Sequence, residues 1–158
     1  MTKVVRQRES TPGKRMLTIV RGFVPNVNKV VDAKKDATVE VLPRDISRAA
    51  KKNHNACALA RACERTFMVD AAVITPYRAF LIKGDVATRY MLTDHARREI
   101  IAFDRGAAFM PGEYDMRAPR NAERIGHRLL GAPTDRKGRK DVSRRAYRVT
   151  EGVRTHAR

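Results

Sequence analysis

Apolar and polar positions along the chain divide it into short periodic segments. In "TVEVLP", Val39 and Leu42 sit among polar positions and Pro43 ends the run, which predicts a short strand. Asp45 follows where a carboxylate accepts from the free N–H groups of a helical first turn. "ISRAAKK" supplies one or two turns of helix before "NHN" interrupts. Asn53 or Asn55 then caps a second helix that runs to about Phe67. Its apolar positions, Ala56, Leu59, Ala60, Cys63 and Phe67, recur at the spacing of one helix face, with Arg61, Glu64 and Arg65 mainly on the other side.

Two strands follow, "VDAAVIT" and "YRAFLIK", joined at Thr75-Pro76. Val73, Tyr77, Phe80 and Ile82 suit a pleated surface. Gly84-Asp85 predicts a turn, and "ATRYML" the third strand of a meander. Thr93 or Asp94 caps the next helix, "DHARREIIAFDR", whose buried stripe is Ala96, Ile100 and Phe103. Gly106 is placed to end it in a left-handed cap. "GEYDMRA" predicts a last edge strand stopped by Pro119, and "NAERIGHRLLG" a short amphipathic helix ending at Gly131. In the N-terminal part, "MLTIVRGFV" predicts an added edge strand at 16–24.

Strand, helix, strands, helix, strand is the order of an α+β domain. The expected fold is a small, mainly antiparallel sheet with two or three packed helices and extended basic N- and C-terminal arms. No internal repeat is visible, and no Gly/Ser linker divides two domains.

Charge places the boundaries. The 158 residues include 34 Lys and Arg against 17 Asp and Glu, a formal charge of +17. Residues 1–36 hold +6, residues 37–119 only +3, and residues 120–158 hold +8. The division expected is therefore a basic N-terminal arm (1–36), an α+β core (37–119), and a short helix with a basic C-terminal arm (120–158). A charge this large draws polyanions, nucleic acid first among them. With 42% apolar residues, the chain has material for a packed core.

Several chemistries are weakened by spacing. No run of 18 apolar residues occurs, so no transmembrane helix is expected, and the N-terminal residues lack an apolar run of signal-peptide length. Cys57 and Cys63, six positions apart on a helix, cannot bridge each other. They are expected as reduced thiols in a cytoplasmic compartment. His54, Cys57 and Cys63 lack the paired short spacings of a structural zinc site, so no metal and no cofactor are expected. No Gly-rich phosphate loop, nucleophile elbow or H-E-x-x-H motif occurs. Glu113 and Asp115 share one side of a strand, a pattern common by chance. A helix-turn-helix at 45–66 has suitable lengths, but its second helix offers few polar readers beyond Arg61 and Arg65. Enzymatic activity is left open, with a non-catalytic role favoured.

"VEVLPRDISRAAKKNHNACALARACER", "ATRYML" and "REIIAFDRGAAFMPGEYDM" together resemble a pattern in a family of short uncharacterised proteins of bacteriophages and bacteria. The resemblance spans about residues 39–116. It implies a phage or bacterial origin and a shared fold, and no activity.

The strongest signal lies outside that span. Arg136, Lys137, Arg139, Lys140, Arg144, Arg145 and Arg148 crowd one stretch with Tyr147. Arginine's planar fork suits phosphate, and a tyrosine ring stacks on an exposed base. Lys14, Arg15 and Arg21 form a second cationic group. If the C-terminal group meets about six phosphates, duplex affinity falls with a log–log salt slope of roughly −5. The expectation is a non-catalytic nucleic-acid-binding accessory protein. RNA is favoured over DNA by analogy with the build of ribosomal proteins. No membrane partner is expected. The alternative is a phage virion or assembly protein whose arms lace neighbouring subunits, located in the virion instead of the host cytoplasm.

Overall fold

The structure, a computed structural model, describes residues 12–125. Four helices and six strands make up this part: α1 (Pro12–Arg21), β1 (Lys29–Asp32), β2 (Ala37–Val41), α2 (Pro43–Ser47), α3 (Ala58–Phe67), β3 (Ala71–Ile74), β4 (Arg78–Lys83), β5 (Val86–Leu92), α4 (Asp94–Asp104) and β6 (Gly112–Arg117). A 3₁₀ turn follows at Asn121–Glu123. The class is α+β, and the sheet is mainly antiparallel as its composition predicts.

The strands run in the order β2-β6-β5-β4-β3, and β1 pairs with β5 beside this path. The centre is β5. Along one edge it pairs with β4 from Arg78↔Met91 to Lys83↔Val86. Its other edge is shared. The first half takes β1 in parallel, from Lys29↔Val86 to Asp32↔Arg89. The second half takes β6 at Met91↔Arg117 and Leu92↔Met116. The β4–β5 hairpin closes through Gly84, whose φ of +62° suits the first central position of a two-residue turn.

The helix α3 touches both β2 and β3, the two ends of the strand path. The sheet therefore curls around it. Leu59, Ala60, Ala62 and Cys63 are buried on α3, against Val39 and Val41 of β2, Ala72 and Ile74 of β3, and Ala79 and Leu81 of β4. Met68, in the left-handed region at φ 51°, ends the helix. Ala96, Ile100 and Phe103 of α4 extend this core. Thr93 caps that helix as expected, its hydroxyl accepting from the Ala96 N–H.

Side chains alternate along a strand, so β3 and β4 present a second apolar surface to the other face. Val73, Phe80, Ile82 and Ala87 line it, and Val20 and Val27 cover it, with Met16, Leu17 and Val24 packed alongside. This corrects the edge strand expected at 16–24. The segment is the helix α1, with Met16, Leu17 and Val20 on the buried face, because the uncovered half of the sheet needs an apolar cover of that shape. Residues 12–36 are consequently part of the folded unit. The four-residue strand β1 within them had no periodic signal.

Three further expectations shift. The strand "GEYDMRA" is interior, between β2 and β5, so the outer strand on that side is β2. Asp45 lies inside α2 at its third position and accepts from the Leu42 N–H at 2.9 Å, so it closes the turn from within. Cys57, not an asparagine, precedes α3. Asn53 instead accepts from the Asn55 N–H inside the loop. Of the helix expected at 121–131, the described part is the 3₁₀ turn, and the remainder lies outside the described residues. No helix among the described residues is long and apolar enough to cross a membrane.

Candidate nucleic-acid interface

The described residues hold 21 of the 34 basic side chains and 13 of the 17 acidic ones, a net +8. How those charges pair decides which surface is available to an anion.

On α1, a helix turn of about 100° per residue puts Met16, Leu17 and Val20 toward the sheet. Lys14 and Arg21 then fall on one flank and Arg15 on the other. All three are exposed, as are Lys29, Lys34 and Lys35 in and after β1. Six exposed cations thus fall within one 22-residue segment, 14–35, although strand alternation turns Lys29 to the sheet face away from α1, since Val30 and Asp32 face the α1 side. That segment contains a single carboxylate, Asp32, which is consumed internally by Arg89. The neighbouring Asp36 accepts from the Ala118 N–H at 2.8 Å. Arg21 is also a staple: its Nε donates to the Val27 carbonyl at 2.7 Å and fixes the turn after α1. Among the described residues its side chain meets no carboxylate.

A second cationic surface lies on the opposite face. Arg44, Asp45, Arg48, Arg61, Glu64 and Arg65 line an open groove of about 820 Å³ between α2 and α3. Arg65 clasps Asp45 in bidentate fashion, with Nη2 2.9 Å from Oδ2 and Nε 3.3 Å from Oδ1. It also donates to the Glu40 carbonyl at 2.7 Å. Burial acts to raise the Asp45 carboxyl, but hydrogen bonds from Arg65 and Leu42, with the charges of Arg65 and Arg44, outweigh it and hold it below the usual carboxylate range. Glu64 is shifted upward by burial despite the opposing pull of Arg61, whose Nη1 is 3.6 Å away. Both acids of the groove are matched from within. Arg44 and Arg48 are exposed and pair with no carboxylate among the described residues. Sequence reasoning placed Arg61 and Arg65 on the solvent side of α3 and stopped there. The signal for the rest was Arg44 and Arg48 flanking the buried Asp45, but it needed the α2–α3 angle to become a groove.

A third cluster is structural. Arg89, only 3% exposed, donates from Nε to Asp32 Oδ1 at 2.7 Å and from Nη2 to the Glu123 carbonyl at 2.6 Å. The other Asp32 oxygen accepts from the Ile125 N–H at 2.7 Å. Arg117 grips Glu123 with two bonds of 2.7 and 2.8 Å. Those bonds and the Arg120 N–H push the Glu123 carboxyl down to about 2. These pairs latch residues 120–125 to the side of the sheet where β1 meets β5.

The remaining candidates take ordinary structural places. Cys57 and Cys63 are buried free thiols. Burial pushes the Cys57 thiol up to about 11 and Cys63 further, the opposite of an activated nucleophile. His54 bonds the Ile74 carbonyl through Nδ1 at 2.8 Å, and its own carbonyl accepts from the Ile74 N–H, so it covers the open edge of β3. Glu113 and Asp115 do share a strand face, where Glu40 faces Glu113 and Thr38 donates to Asp115 at 2.7 Å. Among the described residues, no group of three or more His, Cys, Asp or Glu is placed to hold a metal ion.

Of the residues singled out in the sequence, Lys14, Arg15 and Arg21 share α1. Arg136, Lys137, Arg139, Lys140, Arg144, Arg145, Tyr147 and Arg148 lie outside the described residues. No protein-family model, curated protein or solved structure matches the chain.

Proposed function

We propose that the chain is a non-catalytic nucleic-acid-binding accessory protein of phage or bacterial origin. It grips the phosphate backbone of structured RNA in the host cytoplasm, through the α1–β1 surface together with the basic segment 134–149. The observation that supports this most is the cationic segment 14–35 itself: six exposed cations, with the one carboxylate of that segment, Asp32, paired with Arg89. Cations that pair with no carboxylate among the described residues can release counterions from a phosphate backbone.

The test is fluorescence anisotropy of the full chain with a structured RNA and a matched DNA, across a salt series. We expect binding at low salt that weakens steeply with added salt. Deleting residues 132–158 lowers affinity by at least about tenfold, since their basic side chains are removed, and leaves thermal unfolding nearly unchanged. Replacing Lys14, Arg15, Lys34 and Lys35 with alanine weakens binding uniformly across sequences. Indifference to both nucleic acids at low salt would overturn the reading. Co-assembly into a particle in that case would replace it with a virion structural role.

A further inference from the structure

The two cationic surfaces lie on opposite faces of one sheet. The alternation in β3 and β4 fixes this. Val73, Phe80 and Ile82 face α1, whereas Ala72, Ile74, Ala79 and Leu81 face α3. Packed layers of this kind lie about 10 Å apart, so two layer spacings separate the outer side of α1 from the α2–α3 groove. A straight duplex lying on one surface does not reach the other.

The groove has the features of a built site for a phosphate backbone. Its floor is fixed, because Arg65 is held at once by Asp45 and the Glu40 carbonyl. Its acids are neutralised internally, so they repel an incoming anion little. Arg44, Arg48 and Arg61 stand on its exposed rim, and guanidinium forks match phosphate oxygens two at a time. A volume of about 820 Å³ accommodates more than a single ion.

We infer that the α2–α3 groove is a second phosphate-backbone site, and that the protein bridges two nucleic-acid segments, one on each face of its sheet. The inference rests on the nucleic-acid reading above and adds a second, independent grip. It makes the protein a cross-linker of folded or neighbouring strands.

A capture assay separates the two claims. One RNA duplex of about 16 bp is immobilised, a second carries a fluorophore, and the full chain is added at low salt. The wild-type chain should retain the fluorescent duplex on the surface. The R44A/R48A/R61A variant, which leaves the Arg65–Asp45 clasp intact, should capture at least about tenfold less, with the salt slope of capture reduced by about 2 or more. Its affinity for one free duplex, read by anisotropy, should stay close to wild type, which also reports that it folds. The R44K/R48K/R61K variant keeps the charge and should recover most of the capture. Binding of one duplex without capture of a second overturns the bridging inference and leaves the function standing. Undiminished capture by the alanine variant overturns the groove assignment and places the second grip elsewhere. No binding to either duplex overturns both.

Discussion

The two faces of the sheet are stabilised by different physics. The concave face, wrapped around α3, is dry and apolar, with Leu59, Val39, Val41, Ile74 and Met116 buried together. The other face is divided. One half is apolar beneath α1. The other half is ionic, with Arg89 bound to Asp32 and Arg117 to Glu123. Arg78 is on that same face, one cross-strand step from Arg89. Burial and the Arg89 charge lower its affinity for a proton, and its buried Nε has no hydrogen-bond partner among the described residues. The concave face stabilises the fold with little dependence on pH. The ionic half is stable only while its partners stay charged and in place, and it holds the last described turn of the chain. Among the described residues, Asp32 thus ties β1 to Arg89 of β5, 57 residues away, and Glu123 holds the following turn through Arg117.

Removing one member of the buried pair should have the largest effect. Asp32→Ala strands the Arg89 guanidinium and the Ile125 N–H, and about 3–5 kcal/mol of stability should disappear in urea unfolding. The double change D32L/R89M, which removes both charges, should be more stable than D32A alone. If D32A proves nearly neutral, the ionic half is not the brittle region described. On the concave face, Leu59→Ala should cost about 2–5 kcal/mol through lost burial and a cavity. The loss should be the same at low and high pH, in contrast to the ionic face.

Acid should probe the latch, alongside the Asp45–Arg65 clasp, whose carboxyl is also held low. The Glu123 carboxyl is pushed down to about 2 from an ordinary 4.5 by Arg117. Its folded form therefore binds protons less readily than its unfolded form. The stabilisation is fully present above about 4.5 and fades as pH falls toward 2. Glu123→Gln should flatten that part of the stability–pH profile, and an unchanged profile would show that the latch contributes nothing. The smallest effect belongs to the exposed pair on α4, where Arg97 Nη2 lies 2.9 Å from Asp94 Oδ1. Asp94→Asn should change stability by about 0.5 kcal/mol or less, and that difference should shrink with added salt.

Local order was legible in the sequence where it has a short period. The hairpin through Gly84 and the stripe of α4 are each written within about a dozen residues and form as expected; the face of α3 does so from Leu59 onward, with Ala56 left in the turn before the helix. The surplus of positive charge and the exposure of Lys14, Arg15 and Arg21 were legible too, since charge is additive and seldom buried. Three features were not. "MLTIV" suits a strand as readily as a helix, and only the bare apolar half of β3 and β4 selects the helix. "GEYDMRA" has the pattern of an outer strand, yet it lies inside because β2 pairs beyond it. Arg89, in the middle of "ATRYML", looks like a solvated arginine until β1 brings Asp32 beside it, 57 residues away in the chain. The α2–α3 groove belongs to the same class. Periodicity and charge are properties of neighbouring residues, so the sequence determined them alone. Which strand lies beside which, which carboxylate meets which guanidinium, and where arginines converge are settled by the packing of distant segments, and only the tertiary structure decided them.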